Sequence, residues 1–281
     1  MKYENLTLDE ERALYAVQDA EIIGCTFSGP ADGESALKEC RNIQVKGCTF
    51  QLRYPFWHVR HAVVEHCTMT ETCRAALWYD NNITLTHCTL GGIKALRECK
   101  DIVLDSCAIN STEFGWFCDH LHMTNCELKT EYPFLKSCNM ELDHLSMQGK
   151  YSFQYVENVV IRNSNLDTKD AFWHSKNVTV YDSIIKGEYL AWYSENLKLV
   201  RCKIIGTQPL CYAKGLVLED CEMDGTDLAF EYSDVHAVIN GSIESVKNPK
   251  SGIISADGIG EVILDEHQIR DTHCEICIRS H

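Results

Sequence analysis

Five polar side chains in the middle of the chain are of the types that acid–base chemistry uses: Asp105, His122, Glu141, Asp143 and Arg162. Carboxylates beside an arginine and an imidazole can move protons or hold a cation. A solvated strand face with ordinary ion pairs gives the same pattern without any chemistry. Histidines supply a second set, with His66, His87 and His144 each followed by Cys67, Cys88 or Leu145. Near the C-terminus Cys274 and Cys277 form one C-x-x-C between His273 and His281. A zinc site needs a second pair, so no metal and no cofactor are expected.

Aromatic residues give a stronger regularity. All five tryptophans, Trp57, Trp78, Trp116, Trp173 and Trp192, stand ten residues before a recurrent small residue. The next position holds His58, Tyr79, Phe117, Tyr155, His174, Tyr193, Tyr212 and Tyr232. The tryptophan register also carries Lys38, Arg97, Gln154 and Glu231, which would not stack inside a narrow core, so it is expected to face outward. Three roles fit such a stripe. It can pack against its own loops and coils, join two copies in a homo-oligomer, or stack on sugar faces as an oligo- or polysaccharide site. The ligand residues would be Trp57, His58, Trp78, Tyr79, Trp116, Tyr155, Trp173, His174, Trp192 and Tyr193.

Both sets depend on one repeat. The small residue recurs at Cys25, Cys48, Cys67, Cys88, Cys107, Cys126, Leu145, Ser164, Ser183, Cys202, Cys221, Gly241 and, less clearly, His267, and eight of the twelve steps are nineteen residues. Five and three residues before it are apolar, as at Ile83 and Leu85 or Val178 and Val180, and two residues after it is apolar again. Period two means strands, and a fixed short period means a solenoid. An asparagine stripe (Asn42, Asn82, Asn139, Asn158, Asn177, Asn196, with Asp19 and Asp101) precedes the first apolar position and suits a left-handed corner. The expectation is an all-β parallel solenoid of about twelve coils spaced roughly 4.8 Å apart, on the order of 60 Å long. Small residues in the recurrent slot point inward, and the cysteines there form a reduced packing ladder. Cys40, Cys99 and Cys118 share a second inward slot. The chain is read as a single domain: 1–11 as a lead-in or cap, 12–241 as regular coils, and 242–281 as an irregular last coil and cap. For the start, Thr7-Leu8-Asp9-Glu10 also fits a helical capping box, and "ALYAV" fits a first coil with Leu14 inward.

The motif N-I-x-V/L-x-x-C-x-F/L, as in "NIQVKGCTF" and "NITLTHCTL", resembles the right-handed, single-stranded parallel β-helix proteins of the pectin-lyase-like superfamily. "ERALYAVQDAEIIGCTF" followed by "GESALKECRNIQVKGCTF" is similar to a bacterial family of this fold known only as a domain of unknown function. In lyases of the superfamily, chemistry sits on a strand face, where a basic residue abstracts a proton near acidic groups. Those enzymes wall a groove with long loops. Here insertions are confined to 28–35, a two-residue extension near 70–74, and 242–258. The resemblance brings no catalytic residues to this chain.

Formal net charge is −15, and no basic stripe could neutralise phosphates, so neither nucleic acid nor an anionic membrane surface is an expected partner. No apolar run reaches membrane-span length. The N-terminal stretch has no basic-then-apolar signal pattern, which points to the cytoplasm. The leading functional reading is a carbohydrate-interacting β-helix using the aromatic stripe. The alternatives are a polysaccharide lyase or glycoside hydrolase using the acidic/Arg set, and a structural or oligomerising scaffold.

Overall fold

The computed structural model describes residues 1–30 and 33–279; residues 31 and 32 of the first insertion, and His281, lie outside them. The chain is an all-β parallel solenoid of about fourteen turns, each of about 19 residues. Two compact units, Met1–Glu141 and Leu142–His281, share this construction.

A regular coil has a six-residue strand, a corner, and a two- or three-residue strand. In the first unit Asn81–Thr86 pairs in parallel with Arg60–Glu65 on one side and Lys100–Asp105 on the other. Thr89–Leu90 pairs with Thr68–Met69 in the same way. In the second unit Lys176–Tyr181 lies between Glu157–Arg162 and Glu195–Val200. Alternation explains which residues go in. Ile83, Leu85 and Leu90 are buried, as are Val178, Val180 and Ile185.

The asparagine stripe makes the corner after the aromatic register. Asp19, Asn42, Asn82, Asp101, Asn139, Asn158, Asn177 and Asn196 all have φ between 50 and 58°. Asn and Asp enter this left-handed region more readily than other side chains. Their amides also bond from coil to coil, with Asn177 Nδ2 donating to Asn158 Oδ1 at 3.1 Å and Asn196 Nδ2 to Asn177 Oδ1 at 3.0 Å.

The recurrent slot needs more than small size. Its backbone N–H points into the core and must find an acceptor there. Cys25 N donates to Cys48 Sγ and Cys48 N to Cys67 Sγ, both at 3.3 Å. In the second unit Leu145 N and Ser164 N donate to the next coil's serine Oγ, both at 3.0 Å. Ser164 Oγ in turn donates to Arg162 O at 2.6 Å. Cys and Ser alternate freely because each accepts from one coil and donates to a carbonyl two residues back. All the cysteines are free thiols. In the second inward slot burial raises the thiol pKa, pushing Cys40 up to about 11 and Cys118 up to about 12.

Several expectations are corrected at the ends. No helix caps the start among the described residues: Lys2–Glu4 and Thr7–Leu8 already pair with Glu21–Ile23 and Thr26–Phe27, so the first coil begins at the N-terminus. Ala13 is buried and Leu14 only half-buried. Toward the C-terminus, where 242–281 is expected as an irregular last coil and cap, three long strands are in place. Asp234–Lys247, Ser251–Ile263 and His273–Ile278 continue the parallel ladder. A register shift between Leu218 and Cys221 places Ile239, not Gly241, opposite Cys221. Gly241 is exposed, and His267 lies on an exposed loop.

One interior residue conflicts with its surroundings. Asp80 is 1% exposed; Val59 N donates to its Oδ1 at 2.7 Å, and Oδ2 has no partner. Burial holds its pKa well above the usual carboxylate range. The folded state therefore keeps the proton over a range in which the unfolded chain has lost it. Asp80 favours folding most in acid, and that contribution is lost as pH rises from the ordinary carboxylate range through the raised pKa. At the corresponding inward position of another coil, Ser137 accepts from Cys118 N at 2.8 Å and donates to Gly115 O at 2.6 Å. Asp80→Ser should gain about 1–3 kcal/mol over wild type near neutral pH. Little of that difference should remain at about pH 4. Urea unfolding at both pH values measures it, and a gain independent of pH would contradict the assignment. For the corner ladder, Asn177→Ala should cost about 1–2 kcal/mol in the same assay and Asn177→Gly clearly less.

Candidate functional site: the aromatic columns

The coil geometry turns each aromatic register into a column. In the second unit Tyr155 and His174 have ring centroids 4.9 Å apart, His174 and Tyr193 5.1 Å, and Tyr193 and Tyr212 4.8 Å, with planes within 13° of parallel. Behind this column Trp173 and Trp192 stack at 5.4 Å and 2°. In the first unit His58 stacks on Tyr79 at 5.1 Å and Trp57 on Trp78 at 5.2 Å.

The outer rings stand on left-handed corners. His58, Tyr79, Phe117, Tyr155, His174, Tyr193, Tyr212 and Tyr232 have φ between 53 and 60°. That conformation costs a bulky residue about 1–2 kcal/mol, and a ring stack returns about 0.5–1.5 kcal/mol. Stacking thus largely offsets the corner, but it also uses up the ring faces. What reaches solvent is ring edges, phenol oxygens and imidazole nitrogens. Tyr155 is 50% exposed and Tyr193 43%.

The tryptophans differ from the expected exposed strip, because all five are half-buried. Trp173 Nε1 donates to Tyr189 O at 2.7 Å and Trp192 Nε1 to Gln208 O at 2.8 Å, while Trp116 Nε1 donates to Tyr132 O. Cations cover the faces of the first-unit pair: Lys38 Nζ lies 3.8 Å from the Trp57 ring centre and Arg97 Cζ 5.5 Å from that of Trp78. The sequence could not show this, since outward alternation does not say which way a ring lies. Trp116 meets Phe117 edge-on at 89°.

In neither unit do the acid–base residues converge on one point. In the first unit His122 and Glu141 face outward, His122 Nδ1 lying 3.7 Å from Glu141 Oε2. Asp105 belongs to a register two residues on, shared with Thr86 and Thr124. It accepts from Thr124 Oγ1 at 2.7 Å and Asn125 Nδ2 at 3.2 Å, and these bonds lower its pKa. In the second unit Asp143 accepts from Asn163 Nδ2 at 2.9 Å and pairs with His144 Nδ1 at 2.9 Å. Arg162 turns instead to the Tyr181 ring, 5.5 Å away. Sharing a register does not make two side chains partners.

His66 and His87 stack at 5.0 Å. Among the described residues, no group of three or more His, Cys, Asp or Glu is placed to hold a metal ion. Cys274 and Cys277 lie on one strand, His273–Ile278, where residues three apart point to opposite faces and cannot chelate together.

The chain is similar in structure to the A-module of mannuronan C-5 epimerase AlgE4 from Azotobacter vinelandii, at 8% identity and a TM-score of 0.37, over 84% of this chain and 87% of that one. It is also similar to GH136 lacto-N-biosidase from Eubacterium ramulus, at 7% identity and a TM-score of 0.39, over 99% of this chain and 68% of that one. At such values no side-chain role transfers. A search of curated proteins found no match. A family model does match, over residues 1–277, and by that match the chain belongs to the family described as protein of unknown function, DUF3737.

Proposed function

We propose that the protein is a carbohydrate-binding β-solenoid whose site is the outer column Tyr155–His174–Tyr193. The observation that carries this reading is three parallel rings at coil spacing, all on exposed residues. An aromatic edge is the positive end of the ring quadrupole, and it suits the oxygens of a sugar. Beside the column run ordered polar groups: Lys176 and Lys214 both pair with Glu195, at 3.7 and 3.1 Å, and the Asn158–Asn177–Asn196 amides form a ladder. A linear saccharide laid along the coils would meet the same set of groups at each step. Contact is edge-on, through hydrogen bonds, rather than by stacking on ring faces. Trp173 and Trp192 support the column from behind.

The test keeps the corner while removing the ring. His174→Asn and Tyr193→Asn place a side chain that tolerates positive φ at each position. The double variant should keep the wild-type unfolding midpoint and lose oligosaccharide binding by about tenfold or more, read by glycan array and calorimetry. Wild-type protein that binds no glycan on a broad array overturns the reading.

A second reading, a polysaccharide lyase or glycoside hydrolase, draws on His122 and Glu141. Both line an open concavity of about 510 Å³ with Asn82, Asp101, His120 and Asn139. An imidazole and a carboxylate side by side can pass a proton. On this reading wild type cleaves an acidic polysaccharide in the presence of calcium and His122→Asn does not. Absence of unsaturated or reducing-end product from wild type counts against it.

A further inference from the structure

The second-unit column ends beneath a strap. Residues 264–272 join strand Ser251–Ile263 to strand His273–Ile278. Arg270 Cζ lies 5.4 Å from the Tyr232 ring centre and 6.0 Å from that of Tyr212. Ile269 N donates to Tyr232 Oη at 3.3 Å. Tyr232 is 8% exposed, against 50% for Tyr155 and 43% for Tyr193.

The rings under the strap are arranged differently from the rest. Tyr212 and Tyr232 are splayed, with centroids 5.9 Å apart and planes at 40°. Splaying frees ring faces that the regular stack hides, and a guanidinium stands against them, as a cation–π contact requires. Glu231 borders the same place, accepting from Tyr212 Oη at 3.3 Å and pairing with Lys247 at 3.2 Å. Lys247 also reaches Asp265 at 3.4 Å. Two carboxylates and one lysine leave a single negative charge.

The strap is weakly held over its outer part. Its root is fixed by Asn248 Nδ2 donating to Asp265 Oδ2 and Asp265 N donating to Asn248 Oδ1, both at 2.9 Å. Beyond the root it meets the coils through the long Ile269–Tyr232 bond and through Arg270 against the rings. Its large apolar side chains face solvent, Ile269 at 82% and Leu264 at 57% exposure. A segment that buries so little opens at low cost.

We infer that Tyr212, Tyr232 and Glu231 form a seat for an organic cation, which Arg270 fills from a displaceable strap, and that the saccharide of the column carries a free amine that takes this seat when the strap leaves. The saccharide half of this inference rests on the column reading, whereas the seat stands on its own geometry.

The experiment uses the full chain and three probes: tetramethylammonium chloride, an oligosaccharide of free amino sugars, and the N-acetylated form of that oligosaccharide. Calorimetry at constant ionic strength reads affinity, and glutamyl endopeptidase cleavage after Glu266 reads strap opening. Arg270→Ala should bind tetramethylammonium about two- to fivefold more tightly than wild type. Arg270→Lys should remain near wild type, and adding Tyr232→Asn to Arg270→Ala should abolish the gain. In wild type, saturating tetramethylammonium should speed cleavage after Glu266, and the free-amine oligosaccharide should bind better than its acetylated form. Equal affinities in wild type and Arg270→Ala, a gain that survives Tyr232→Asn, or unchanged cleavage would overturn the seat. A tetramethylammonium gain with no binding of either oligosaccharide keeps the seat and removes the free-amine saccharide as its occupant. Oligosaccharide binding indifferent to both Arg270 and the amine keeps the column and removes the seat.

Discussion

Every feature of this protein follows from parallel coils stacked in register. A side chain in one coil faces its counterpart in the next at strand spacing, roughly 4.8 Å. Repeated identity is therefore repeated contact, and it helps only for residue types that attract their own kind. Amides meet this condition as donor and acceptor at once, as along Asn158, Asn177 and Asn196. Thiols and hydroxyls meet it in the core slot, where each accepts a buried N–H. Flat rings meet it by stacking. Charges do not, which is why the exposed register holding Lys176, Glu195 and Lys214 alternates in sign.

The second consequence is the corner. A coil this short must turn sharply, and several positions per coil take left-handed backbone. Asn and Gly at such corners are explained by conformation alone. Tyr and His are not, and stacking between coils offsets part of their cost, whereas Glu39 and Glu98 take the same corner without a ring. Aromatic columns are thus part of the scaffold before they are part of any site. Their faces belong to the solenoid, and their edges and polar atoms remain for a ligand. On the proposed carbohydrate reading, recognition would depend on the repeat of hydrogen-bonding groups along the coils. The exception is the splayed pair Tyr212 and Tyr232, where a ring face is available and Arg270 lies against it.

Much of this was legible in the sequence because the repeat is so regular. The slot cysteines, the Ile83/Leu85 alternation and the asparagine corners needed only the nineteen-residue period and strand geometry. What escaped depended on departures from the period or on side-chain torsions. The bulge after Leu218 moves Ile239 into the slot that counting assigns to Gly241. Asp143 and Arg162 share a register, yet His144 and Tyr181 are nearer to hand. Trp116, Trp173 and Trp192 are half-buried with their indole N–H groups on carbonyls, which alternation does not encode. Arg270 meets Tyr212 from an irregular segment, and no periodic signal links the two.

The claim that most depends on being right is that the edge of the Tyr155–His174–Tyr193 column is where a ligand lies. A crystal structure of the protein with a bound oligosaccharide tests it most directly. The account predicts a sugar chain running across successive coils, its oxygens against the ring edges, phenol hydroxyls and imidazole, with its repeat in step with the coils. A saccharide seated in the His122–Glu141 concavity, with the column bare, would contradict it.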